Sequence, residues 1–301
     1  MRRSRRWLLS ALLTLFTLFL TVSCSLGSND TAAIRVGSKD FAEQLIIGEM
    51  YALILEDHGY TVERKLNLGG TSVAQTRLEK GEIDLYPEYT GTALISVLKL
   101  PVSSDQAKVY QTVSKGYKEQ FNLVWLNPSP MNNTQTLVMT PEESEQLGIE
   151  TISDLVAQDN QIIMIGPPEF QEREDGLPGL EEAYGEFDLQ QYIPVEPSLR
   201  YQGLIEGEAN VAVGFSTDGE ISAFNLVMLE DDKQLFPPYQ VAPVVRQETL
   251  ENYPKIRKLL NPVTTRLTNE TMQRLNYEVT GKQRDPVEVA NEFLQSEGLL
   301  E

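Results

Sequence analysis

The chain has 301 residues, with 44 Asp and Glu against 25 Lys and Arg, one histidine and one cysteine, and a formal charge of −19. That excess of acid repels nucleic acid and anionic headgroups and mildly favours cationic ligands. A single cysteine excludes an intramolecular disulfide, and one histidine beside it excludes a His/Cys metal cluster.

Arg2, Arg3, Arg5 and Arg6 precede an uncharged, largely apolar run from Trp7 to Val22 that ends at Ser23-Cys24. Such a run behind a basic head is too short to span a bilayer comfortably, so residues 1–23 read as a signal peptide and the chain as exported. Cys24 stands where a lipid would be attached to a new N-terminus. Leu20-Thr21-Val22-Ser23-Cys24 resembles a bacterial lipobox, with Thr21 in place of the usual leucine; cleavage at a neighbouring small residue, giving a free protein, is the alternative. Residues 24–33 are small and polar, suited to a lipidated tether. Either route places the body in the periplasm or on the outer face of the cytoplasmic membrane, attached at most through a lipid on Cys24.

From Ile34 onward short apolar runs alternate with helical patterns, which predicts an α/β fold with mostly parallel strands. Ile34–Gly37 is the first predicted strand, and Asp40 with Glu43 gives a D-x-x-E capping signal for a helix that Gly59 stops. Tyr60–Leu66 is the second strand. Ser72 and Gln75 form another capping pair, and Gly81 closes that helix. A short strand Ile83–Tyr86 is expected to stop at Pro87. Beyond it the pattern predicts a helix over 105–120, strands 123–126 and 136–139, a helix over 152–157, and strands 161–165 and 211–215.

Gly81-Glu82-Ile83-Asp84-Leu85 and Gly207-Glu208-Ala209-Asn210-Val211 echo each other, each leading from a helix into a strand. The echo fits two lobes of like construction. Asn127-Pro128-Ser129-Pro130 and Phe236-Pro237-Pro238-Tyr239 are stiff, extended breaks around a middle block. If both are crossovers, residues 34–131 with 236–301 form lobe 1, residues 132–235 form lobe 2, and a cleft lies between them.

The chemistry of common enzymes is missing. His58 sits at a helix end beside Asp57, where an imidazolium complements the dipole, and no Ser-His or Cys-His pair exists without it. Gly214-Phe215-Ser216-Thr217-Asp218-Gly219 lacks the G-x-S-x-G spacing, and no phosphate-binding glycine loop occurs. The Asp84/Glu88 pair is the one feature that would suit a hydrolase or transferase. No enzyme and no cofactor is expected. What remains is aromatic and polar residues after strands, where open α/β sheets bind ligands.

Val36-Gly37-Ser38-Lys39-Asp40-Phe41-Ala42-Glu43-Gln44, Tyr86-Pro87-Glu88-Tyr89-Thr90-Gly91-Thr92, Pro168-Glu169-Phe170 with Arg173-Glu174-Asp175-Gly176-Leu177-Pro178-Gly179-Leu180, and Phe236-Pro237-Pro238-Tyr239 with Ala242-Pro243-Val244-Val245 occur in this order. Together they resemble the osmoprotectant-binding proteins of ABC importers, from about Ile34 to the C-terminus. The resemblance implies a two-lobed, type II-like periplasmic-binding-protein fold with two crossover hinge segments. It implies capture of a quaternary ammonium solute of the glycine betaine, choline, carnitine or proline betaine class, and a monomer that delivers it to membrane permease subunits. It further implies an aromatic box from Tyr89, Phe215 and Tyr239, and a carboxylate site from Lys39, Thr92 and Arg173. Phe215 stands where relatives often have tyrosine and keeps the ring face. Gln135 stands where they often place another tyrosine and brings an amide instead. That leaves the box incomplete and keeps open a different solute, such as a cationic amino acid or other trimethylated metabolite.

Overall fold

The computed structural model describes residues 33–158, 160–172, 175–196 and 199–300. The segment expected to be a signal peptide, Cys24, most of the expected tether and Arg173 lie outside the described residues. Ten strands build two five-stranded sheets: β1 (Ile34–Gly37), β2 (Val62–Lys65), β3 (Leu85–Tyr89), β4 (Leu123–Trp125), β5 (Gln135–Met139), β6 (Ile163–Gly166), β7 (Gln191–Pro194), β8 (Val211–Phe215), β9 (Val227–Met228) and β10 (Val241–Arg246). The first sheet has the order β2-β1-β3-β10-β4 and the second β7-β6-β8-β5-β9.

The two sheets are wired alike. In the first, β1 runs parallel to β2 and β3, while β10 runs antiparallel to β3 and β4. In the second, β6 runs parallel to β7 and β8, while β5 runs antiparallel to β8 and β9. The sequence echo falls on equivalent positions. Asp84 N–H donates to the Arg35 carbonyl and its Oδ2 accepts from Arg35 N–H at 2.7 Å; Asn210 N–H donates to the Ile163 carbonyl and its Oδ1 accepts from Ile163 N–H at 2.9 Å. A short acceptor side chain thus pins the start of β3 to β1 and the start of β8 to β6.

The inner strands of each sheet are buried on both faces, which is why β6, β8 and β10 are nearly continuous apolar runs, whereas the edge strands β2 and β7 are partly exposed and more polar. β10 shows the period of two: Val241 and Val245 join one core with Ile46, Met50 and Leu260, while Ala242 and Val244 join the other with Tyr86, Val113 and Trp125. The second sheet is likewise covered by a core around Leu137, Met164 and Phe170 and another around Val138, Ile165 and Tyr201.

The chain passes between the sheets twice, after β4 and before β10, at the two proline-rich breaks. These segments run side by side. Ser129 N–H donates to the Val241 carbonyl, Asn133 N–H to the Tyr239 carbonyl, and Thr134 Oγ1 to the Pro237 carbonyl at 3.0 Å.

Three local expectations are corrected. The Asp40/Glu43 and Ser72/Gln75 caps do not form: the N-caps are Phe41 and Gly70, without side-chain cap bonds, because Glu43 and Gln75 are drawn into tertiary contacts. The third strand does not stop at Pro87 but runs through it to Tyr89. Pro87 stands opposite Pro243 and beyond the β1 pairing at Leu85, so its missing N–H leaves no ladder partner stranded there. No helix among the described residues is long and apolar enough to cross a membrane.

Candidate functional site

A cleft of about 1360 Å³ opens where the ends of both sheets meet the crossovers. Lys39, Tyr89, Thr92, Gln135, Phe215 and Tyr239 all line it. Tyr89 ends β3 and Thr92 lies in the Thr90–Thr92 helical turn that follows. Gln135 and Phe215 are register partners at the ends of β5 and β8, and Tyr239 comes from the second crossover. Lys39, Tyr89 and Phe215 stand at or just after the carboxyl ends of β1, β3 and β8, where open α/β sheets bind ligands, while Gln135 opens β5 and Tyr239 precedes β10.

Ring faces are plentiful. Phe41, to which the sequence reading gave no role, stacks on Tyr89 with centroids 6.2 Å apart, and it and Phe215 are exposed by 40% and 44%. Large apolar rings left exposed on a cleft wall are surfaces for a ligand. Tyr239 is held by a 2.6 Å bond from its N–H to Asn132 Oδ1.

The two described cations of the wall are already neutralised. Lys39 Nζ lies 2.5 Å from Glu88 Oε1, both side chains being buried, and 5.1 Å from the centre of the Tyr89 ring. Glu88 also accepts from Tyr86 Oη at 2.8 Å and Tyr89 N–H at 2.6 Å. Arg200 is ion-paired with Asp218, which also accepts from Tyr201 Oη and Phe215 N–H, each at 2.7 Å. Burial works against the Arg200 charge, yet Asp218 holds its pKa above the usual value. The Asp84/Glu88 pair divides between separate cations, since Asp84 is bound to Arg35 at 2.7 Å.

Acids outnumber these cations on the described wall. Glu43, Asp175, Glu182, Asp218 and Glu220 all line the cleft. Glu43 is fully buried, and its Oε1 accepts from Tyr89 Oη at 2.6 Å and Asn133 Nδ2 at 2.8 Å, its Oε2 from Asn276 Nδ2 at 3.0 Å. Burial pushes its carboxyl above the usual range, and the bonds from Tyr89, Thr217, Asn276 and Asn133 pull it partly back. Burial, then the neighbouring Glu43, drives the Tyr89 hydroxyl well above its ordinary value, so it stays a donor. Gln135 donates Nε2 to Asp175 Oδ2 at 2.6 Å.

A described wall of rings and acids, drawn from both lobes of a duplicated-looking α/β frame, can surround a cation that lacks N–H groups. A profile of the OpuAC family, the substrate binding domain of ABC-type glycine betaine transport systems, matches residues 32–296. The chain belongs to this family. Within or near it, the chain is 37% identical over 285 residues to the glycine-betaine-binding protein of Pseudomonas aeruginosa, covering 91% of each chain. It is also 37% identical over 265 residues to the Helicobacter pylori ergothioneine transport permease/ergothioneine binding protein EgtU; this covers 88% of the chain but only 47% of that longer protein. A crystal structure of a glycine betaine/carnitine/choline ABC transporter protein superposes with a TM-score of 0.84 at 31% identity, covering 89% of this chain and all of the other. The two-lobed periplasmic-binding-protein fold is therefore shared. Members of the OpuAC family are extracytoplasmic receptors that bind small solutes for delivery to a permease.

Phe41, Glu43, Asn133, Asp175, Arg200 and Asn276 are among the cleft residues to which the sequence assigned no ligand role. Glu43 and Asp175 lie inside the quoted motifs, and Asn133 stands two residues before Gln135. Asn276 comes from the helix Asn269–Thr280, 233 residues from its Glu43 partner, and nothing in the sequence marks it.

Proposed function

We propose that this protein captures a quaternary ammonium compatible solute of the glycine betaine or choline class between its lobes and hands it to the permease of an ABC importer. The observation that carries the reading is the meeting of Phe41, Tyr89, Phe215 and Tyr239 in one acid-rich cleft. A trimethylammonium has no N–H to offer, so hydrogen bonds cannot select it, whereas each ring face contributes about 0.5–2 kcal/mol depending on desolvation. The relatives named for glycine betaine and for ergothioneine, itself a trimethylated solute, point the same way.

Lobe 1 comprises residues 34–131 and 236–301 and lobe 2 residues 132–235 in this reading. The cleft exceeds the roughly 300–1,000 Å³ of ordinary small-molecule pockets, as an open form awaiting hinge closure would. Thr92 and Arg173 serve a ligand's anionic end. Lys39 chiefly compensates Glu88 and sets the charge behind Tyr89. Binding and delivery, rather than turnover, is the role: Asp84 and Glu88 are occupied by Arg35 and Lys39. Signal-peptide cleavage and lipidation at Cys24 would tether a monomer to the membrane.

Calorimetric titration with glycine betaine, choline, carnitine and proline betaine tests the reading. Saturable binding of at least one is expected, weakened by about 1–2 kcal/mol in Tyr239→Ala. No binding of any at millimolar concentration would overturn it.

A further inference from the structure

Negative charge is divided unevenly along the chain. Between the two crossovers, residues 132–235 hold 22 Asp and Glu against three Lys and Arg, whereas residues 34–131 with 236–301 hold 21 against 18. The shorter part therefore carries a formal charge of −19 and the longer one −3. Its acids stand at the surface: Glu142, Glu145, Glu186, Asp188, Glu206 and Glu230 are all exposed. Of its cations, Arg200 is ion-paired with Asp218, and Lys233 lies over the Tyr184 ring. Three positive groups leave nearly all of that charge uncompensated.

The same part supplies most of the acids of the cleft. Asp175, Glu182, Asp218 and Glu220 come from it, against Glu43 from the other part, and Glu182 is exposed. Lys39, the described cation facing them, is held by Glu88 at 2.5 Å. Walls of low dielectric lined by one sign of charge focus the field into the gap between them and raise the local concentration of an oppositely charged ligand.

We infer that the part of the chain between the crossovers is an electrostatic collector, which draws a solute of net positive charge into the cleft and so favours choline-like ligands over zwitterionic ones at the association step. The inference rests on the quaternary ammonium reading above and narrows it by ligand charge. Choline carries one uncompensated charge and feels the whole potential. Glycine betaine carries both signs on one small molecule, so attraction and repulsion nearly cancel at a distance. Salt separates the two cases, because charges are felt over about 30 Å at 0.01 M ionic strength but only about 8 Å at 0.15 M. The entire acidic surface acts at low salt, and only the cleft's own neighbours at high salt.

Stopped-flow association of the intact protein with choline and with glycine betaine, read by its tyrosine fluorescence, tests this. Raising the ionic strength from about 0.01 M to about 0.15 M is expected to slow choline association about fivefold or more and to leave glycine betaine nearly unchanged. A triple variant, Glu145→Lys, Glu186→Lys and Glu206→Lys, alters exposed positions off the cleft wall. At the lower salt it should slow choline about two- to threefold with little change in dissociation, since remote charges act on the approach. A merely structural effect of the substitutions would slow both solutes alike. Should only choline bind, its salt series and the triple variant decide alone. Choline association that ignores salt, or that responds no more than glycine betaine does, overturns the collector while the cleft reading stands; so does binding of glycine betaine without any binding of choline. If no quaternary amine binds, both readings fall.

Discussion

Glu43 illustrates how one residue can serve the site at the expense of the fold. Its carboxyl is raised by burial, and the surrounding hydrogen bonds only partly offset this. A carboxyl whose folded pKa exceeds its unfolded value keeps its proton more tightly in the native state. Its contribution to stability is therefore intact below the unfolded pKa and is lost as pH rises through the folded one. Glu43→Gln removes that loss. The difference in melting temperature, variant minus wild type, should grow in the variant's favour as pH rises from about 4.5 into the neutral range. Melts across a pH series read it directly, and a pH-independent difference would show that Glu43 is not titrating at a raised pKa.

Among the elements, the junction after β3 controls the second crossover. A Cβ on Gly91 would meet the Pro238 carbonyl oxygen at 2.7 Å and the Tyr239 ring at 2.8 Å, so the Thr90–Thr92 turn and the crossover touch only because residue 91 has no side chain. Gly91→Ala should displace the Tyr239 ring, weaken ligand binding about tenfold or more and cost about 1–3 kcal/mol of stability. Titration together with denaturant melts checks both, and an unchanged affinity would mean that this contact does not set the ring. Element types were legible where a local rule and the tertiary structure agree: the strands 34–37 and 211–215 fall where their apolar runs predict. Legibility failed where tertiary demand overrode a local signal. Gln75 bonds Glu79 and Tyr86 instead of capping its helix, and the proline-bearing β7 and β10 carried no strand signal strong enough to be read.

For the whole molecule, the proline breaks and the 81–85/207–211 echo pointed to the two-lobe plan, and the family resemblance named six residues that line the cleft, because both rest on short-range pattern. Contacts over long sequence separation were invisible. The most consequential joins the helix Gly219–Ala223, between β8 and β9, to the helix Asn269–Thr280 near the C-terminus, whose Met272 and Leu275 belong to the core of the first sheet. Gln273 Nε2 and Asn276 Nδ2 donate to the Ser216 and Thr217 carbonyls, each at 2.8 Å, and Phe224 meets Tyr277 edge-on at 6.1 Å. Besides the two crossovers, this is a further tie between the lobes. Its closest approach is backbone to backbone: a Cβ on Gly219 would lie 2.5 Å from Tyr277 N and 2.6 Å from its Cα, and no flexible side chain can yield there. Gly219→Ala must therefore part the two helices. Because packed interfaces shift rather than compress, the lobes should splay. Small-angle scattering is expected to show a larger radius of gyration for the ligand-free variant, and titration a weaker affinity for the same quaternary amine. Saturating ligand should recover part of the compaction, since a solute that bridges the lobes favours the closed state. An unaltered scattering profile would show that the helix pair rides along with the lobes instead of holding them.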